Sequence, residues 1–166
     1  MHKNIILIGM PGSGKSTLGV VLAKVLGMGF SDMDLLMQQH TGMKLQALLD
    51  TEGLDAFLKA EEDTILSVTG ENMVLATGGS AVLSEKAMQH LKSLGTIVYL
   101  NVPFKTLDRR IKNRATRGIA CKKGETLFDV FRFRTPLYEK FADITIVPQT
   151  RRFEQTVQEI INALEA

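Results

Sequence analysis

The sequence predicts an α/β fold, a mostly parallel sheet covered by helices on both faces. Three observations predict it. Short apolar runs alternate with stretches of helical spacing from one end of the chain to the other. Those runs are apolar at successive positions, as strands buried on both faces are. The 166 residues, 45% hydrophobic and 23% charged, suit one domain that buries its core without staples.

Asn4-Ile5-Ile6-Leu7-Ile8-Gly9 is β-branched, closes on glycine and reads as the first strand. Lys15 to Leu26 places Leu18, Val21, Leu22, Val25 and Leu26 at helical spacing, and Gly27 stands where helices end. A short strand at Phe30-Ser31 leads into Asp32-Met33-Asp34. Residues 34–69 read as helices broken near Thr41-Gly42 and Glu52-Gly53. Met73 to Ala76 is another buried strand, closed by Gly78-Gly79. Helix 84–94, strand Thr96 to Leu100, helix 104–113, a polar basic segment, helix 125–141, strand Ile144 to Val147 and helix 151–164 complete the chain. No repeat, low-complexity tract or linker marks a second domain, so residues 1–166 are expected to form one.

Composition excludes several functions. A net charge of +2 is too small for bulk electrostatic binding to nucleic acid or membrane. Cys121 is the one cysteine, so neither an internal disulfide nor a cysteine metal cluster is possible. Apolar stretches stop well short of the ~20 residues of a membrane span. The run Ile5 to Ile8 ends in a glycine-rich turn rather than a cleavage site. We therefore expect a cytoplasmic protein with no membrane partner. His2, His40 and His90 lack metal-ligand spacing and are expected at the surface, and the methionines as core filler.

Charge is unevenly placed. Residues 32–71 hold nine acidic groups against Lys44 and Lys59, whereas 109–123 hold Arg109, Arg110, Lys112, Arg114, Arg117, Lys122 and Lys123 with no acid. The basic segment lacks aromatics for base stacking, so no nucleic-acid partner is expected. A cationic flap over a polyanion is the better reading, with Cys121 a passive part of it.

Gly9-Met10-Pro11-Gly12-Ser13-Gly14-Lys15-Ser16 matches G-x-x-x-x-G-K-[ST], after a buried strand and before a helix. Glycines let successive N–H groups turn inward around phosphate oxygens, and the helix N-terminus adds partial positive charge. Gly12, Ser13, Gly14, Lys15, Ser16 and Thr17 are thus the expected nucleotide-binding residues. Lys15 would reach the β- and γ-phosphates and Ser16 would ligate Mg²⁺. This protein should bind ATP or another nucleoside triphosphate. No Asn-Lys-x-Asp base-reading motif accompanies the loop, and Asp50-Thr51-Glu52-Gly53 lies in helical spacing. The strand Met73 to Ala76 ends without an acid, which leaves Asp32 and Asp34 as the strand-end carboxylates. Helix capping would account for one of them but not both.

Phe57-x-x-x-Glu61, the turn 78–80, Arg110, Arg117 and Arg134-x-Pro136-Leu137-Tyr138 follow the phosphate loop and Asp32-x-Asp34 in order. In that order and spacing, over nearly its whole length, the chain resembles shikimate kinase. The resemblance implies a three-layer P-loop kinase fold with a five-stranded parallel sheet of order 2-3-1-4-5. It implies transfer of the γ-phosphoryl of ATP to a ring hydroxyl of shikimate. Asp32 resembles the family's Mg²⁺ aspartate, and Asp34 the aspartate that bonds the acceptor hydroxyl. Arg117 resembles the lid arginine that stabilises the transferring phosphoryl, within a mobile lid at about 115–124 hinged at Gly118 and Gly124. Arg110 and Arg152 fall on the adenine side. Gly78, Gly79, Ser80 and Arg134 fall on the substrate side, with Arg134 facing its carboxylate. The partner implied is a small molecule, and a monomer is expected.

Two departures qualify the resemblance. Leu58 stands where the family has a second carboxylate-binding arginine, and Lys59 is turned away by one helical step of about 100°. Ser80 replaces a glycine. The segment Val147-Pro148-Gln149-Thr150-Arg151-Arg152 is also loosened. The alternatives are a kinase of this fold for another small alcohol, or a non-catalytic ATP-binding module.

Overall fold

The alternation of apolar runs and helical stretches builds one sheet. The computed structural model describes residues 3–111, 118–148 and 152–166. Strands β1 (Asn4–Ile8), β2 (Gly29–Asp32), β3 (Met73–Ala76), β4 (Gly95–Leu100) and β5 (Ile144–Ile146) pair in the order β2-β3-β1-β4-β5. Every pairing is parallel. Parallel neighbours require crossovers, which the helices α1 (Lys15–Leu26), α2 (Met33–Thr41), α3 (Leu45–Leu66), α4 (Glu85–Leu94), α5 (Phe104–Arg110), α6 (Leu127–Phe141) and α7 (Phe153–Glu165) supply.

Central strand β1 is buried at every position, which explains its unbroken apolar run. Ile6 and Ile8 pack on one face with Leu75, Met88, Leu91 and Tyr99. Ile5 and Leu7 pack on the other with Leu18, Leu22, Val157 and Ile160. Alternation of side chains across a strand thus feeds two cores at once. At about 1.5–3 kcal/mol for each large apolar side chain fully buried, these layers supply most of the driving force. A third, smaller cluster of Met37, Leu48, Phe57 and Ala120 lies away from the sheet and packs α2 and α3 together.

Element ends depart from the sequence reading where caps decide them. α6 begins at Leu127 rather than 125, because Thr126 and Asp129 form a reciprocal capping box. α5 ends at Arg110 rather than 113; Ile111 already has a non-helical backbone (φ −94°, ψ 73°). The break near Glu52-Gly53 is a kink within α3 at Gly53, whose φ is +87°. His90 is half-buried rather than on the surface, its Nε2 2.9 Å from the Val68 carbonyl. Among the described residues, no helix is long and apolar enough to cross a membrane.

Candidate active site

Parallel sheets gather their functional loops at the carboxyl ends of the strands. Here β1 runs into the phosphate loop, β2 into Asp32, and β3 into the turn at 77–80. Gly9, Gly12 and Gly14 hold positive φ, a conformation that lets the loop turn tightly between β1 and α1. Lys15 is buried, and its Nζ donates to the carbonyls of Gly9 (2.8 Å) and Met10 (2.9 Å) and to Ser13 Oγ (3.4 Å). Burial lowers its pKa to about 8, against the opposing pull of Asp34, Asp32 and Glu61. Arg110 does not stand free on its helix. Its Nη1 donates to the Gly12 carbonyl at 3.0 Å, tying the end of α5 to the loop.

Asp32 performs both of the roles its position allows, one with each oxygen. Oδ1 accepts from the N–H groups of Asp34 and Leu35 and caps α2. Oδ2 accepts from Ser16 Oγ at 2.5 Å. The pair presents a hydroxyl and a carboxylate oxygen beside the phosphate loop, a hard donor set suited to Mg²⁺. No three carboxylate, histidine or cysteine side chains converge into a metal cage among the described residues.

A cavity of about 380 Å³ runs from this loop to Asp34, Glu61, Ser80 and Arg134, which line it. Asp34 sits in the first turn of α2, and burial raises its carboxyl above the ordinary range. Gly78 lets the two carboxylates approach. A Cβ built there would lie 2.2 Å from Glu61 Oε2 and 2.8 Å from Asp34 Oδ1, so a side chain would displace the carboxylates from these positions. The same two distances bound the separation of those oxygens at about 5 Å. Ser80 Oγ donates to Glu61 Oε1 at 2.5 Å. Burial pushes Glu61 up to about 7, reinforced by Asp34 and opposed by the Ser80 hydrogen bond, Arg134 and Lys15.

α6 supplies the cation. Arg134 is buried and its Nη2 donates to the Ala120 carbonyl. One turn on, Tyr138 donates its hydroxyl to the Gly79 carbonyl at 2.5 Å and stacks on Tyr99. Burial raises the Tyr138 pKa, so the phenol keeps that proton. Residues 118–120 wall the cavity, and the Gly118 N–H donates to Gln46 Oε1 at 2.9 Å.

Most of the sequence-derived site is therefore assembled in one place. Gly12, Gly14, Lys15, Ser16, Thr17, Asp34, Gly78, Gly79, Ser80 and Arg134 line the cavity, with Ser13 and Asp32 bonded to members of that set. Arg152 is exposed at the start of α7 and does not line it. Arg117, the first part of the expected lid (115–117) and the segment 149–151 lie outside the described residues. Leu58 packs against the cluster of Met37, Leu48, Phe57 and Ala120, beside the cavity and not on its wall. Lys59 does turn away, pairing with Asp63 at 2.7 Å in solvent. Roles for Glu61, Tyr138 and Gln46 escaped the sequence reading. Glu61 and Tyr138 stood inside motifs that could have flagged them; nothing in the sequence marks Gln46.

The family model for shikimate kinase matches residues 11–165 of the chain. The shikimate kinase of Haemophilus influenzae is 35% identical, covering 98% of this chain and 93% of that protein. Shikimate kinase 1 of Sodalis glossinidius is 38% identical, over 99% and 97%. Among solved structures, the shikimate kinase from Acinetobacter baumannii in complex with shikimate superposes with a TM-score of 0.90. It is 29% identical, with 99% of this chain and 94% of that chain covered.

Proposed function

We propose, because this chain belongs to the shikimate kinase family, that it transfers the γ-phosphoryl group of ATP to a hydroxyl of shikimate. The products are shikimate 3-phosphate and ADP. The observation that carries this reading is the continuous cavity from the phosphate loop to Asp34 and Arg134.

In this reading the amides of residues 12–17 cradle the phosphates and Lys15 turns from the loop carbonyls to the β- and γ-phosphates. Ser16 and Asp32 would hold Mg²⁺, which when bound neutralises phosphate charge. Arg110 lies over the nucleotide side of the loop, and Arg117 is assigned to the transferring phosphoryl from the family resemblance alone. Arg134 pairs with the acceptor carboxylate as a buried guanidinium does best. Asp34 orients the acceptor hydroxyl and takes its proton as the new O–P bond forms and the bond from γ-phosphorus to the bridging oxygen breaks. Its raised pKa suits a proton acceptor better than an ordinary surface aspartate. Positioning and charge neutralisation do most of the work in such transfers, so one placed carboxylate suffices.

The test is ADP release measured across shikimate, quinate, gluconate and nucleosides, with Lys15→Ala alongside. Shikimate should be the best acceptor. Lys15→Ala should lose turnover while keeping the circular dichroism of the wild type. Equal ADP release by a folded Lys15→Ala protein would defeat the kinase reading.

A further inference from the structure

We propose that Glu61, held by Ser80, is a specificity-determining residue that admits an anionic acceptor only while its carboxyl is protonated. The inference rests on the acceptor reading above and concerns Glu61, to which that reading assigns no role. Its basis is where the carboxyl sits and what surrounds it.

Glu61 is buried on the acceptor wall, yet the group bonded to it is a neutral hydroxyl, that of Ser80. Buried carboxylates are ordinarily paired with a cation. Position 58, one helical turn before it, is leucine packed in an apolar cluster. Lys59 and Glu62, on the same helix, face outward. Lys59 pairs with Asp63, and Glu62 Oε2 accepts from Ser84 Oγ at 2.6 Å. The charged and titratable groups acting on Glu61 from other elements are Asp34 on α2, Lys15 at the start of α1, and Arg134 and Tyr138 on α6. Tyr138 keeps its proton, so two cations face Asp34 and Glu61.

With Glu61 protonated, the pocket holds a positive surplus that an acceptor carboxylate can use. With Glu61 ionised, that surplus is gone and a negative charge stands on the wall. Affinity for an anionic acceptor should therefore fall as pH rises through about 7, the value to which burial carries this carboxyl. Reciprocally, acceptor binding near that pH should take up a proton.

Titration calorimetry with shikimate and no nucleotide, from pH 6 to pH 8, reads both effects. Wild type should show Kd rising about tenfold across the range, as one proton per binding event dictates. Proton uptake should appear near pH 7.5 when buffers of different ionisation enthalpy are compared. Glu61→Gln should flatten the profile to within about twofold and remove the uptake. Ser80→Ala withdraws the hydroxyl that stabilises the ionised form, so its rise should move to higher pH. A residue serving packing alone would move none of these slopes. Binding with a flat wild-type profile, or a Glu61→Gln profile as steep as wild type, overturns this inference and leaves the acceptor reading standing. Failure of shikimate to bind at any pH overturns both.

Discussion

Leu58 shows how much one side chain can weigh in a site of this kind. A carboxylate facing two guanidinium groups is held by two charge-assisted contacts; here Arg134 is the guanidinium that lines the cavity. Replacing Leu58 with arginine would add a contact worth about 1.5–3 kcal/mol, or roughly ten- to a hundredfold in affinity. Leu58→Arg is therefore expected to lower the KM for shikimate by that factor. Its effect on kcat should be smaller, because a carboxylate remote from the reacting hydroxyl binds alike in ground and transition states. Steady-state kinetics of both proteins at saturating ATP measure the split. An unchanged KM would mean that position 58 cannot reach the acceptor.

At the scale of the element, α6 brings the buried Arg134 to the cavity wall and ties its own next turn to the 77–80 turn. Arg134 and Tyr138 lie four residues apart and so share a face, one reaching Ala120 and the other Gly79. The helix is started by Thr126, whose hydroxyl accepts from the Asp129 N–H at 3.1 Å while Asp129 accepts from the Thr126 N–H at 2.9 Å. Loss of such a cap costs about 1 kcal/mol. Thr126→Ala should accordingly lower Tm by roughly 2–4 °C for a chain of this size, and Thr126→Ser should restore most of it. Differential scanning calorimetry gives the answer; a Tm equal to wild type would show that tertiary contacts alone hold the start of α6.

For the molecule as a whole, the phosphate loop is the meeting point of both halves of the site. Gly79 lies against Pro11, with a Cβ there only 2.6 Å from the proline ring, and Arg110 grips the loop from α5. Nucleotide bound to this loop should stabilise the entire fold. At a hundred times its Kd, ATP with Mg²⁺ should add about 2.7 kcal/mol, or roughly 5–10 °C in Tm. Hydrogen exchange at residues 118–124 should slow in the same complex, as expected of a lid closing over phosphate. Equal protection with and without nucleotide would remove the lid from the mechanism.

The sequence by itself determined the order of strands and helices along the chain, the phosphate loop and the two aspartates at the end of β2 and the start of α2. Each of these is local: an apolar run, a period, a cap or a contiguous motif carries its own physical cause. Element ends were less legible, because the Thr126–Asp129 capping box and the non-helical backbone at Ile111 set them, and periodicity expresses neither. Even the strand-end aspartates were only half legible, since spacing could not say that one carboxylate would both cap a helix and bond Ser16. Tertiary structure alone decided that Glu61 would meet Ser80, 19 residues away, and that Gly78 would leave room for Glu61 and Asp34 to approach. It alone decided that Gln46 would hold Gly118 across 72 residues. Such contacts depend on how crossovers bring distant segments to one edge of the sheet, and burial then shifts the charges of whatever is brought there.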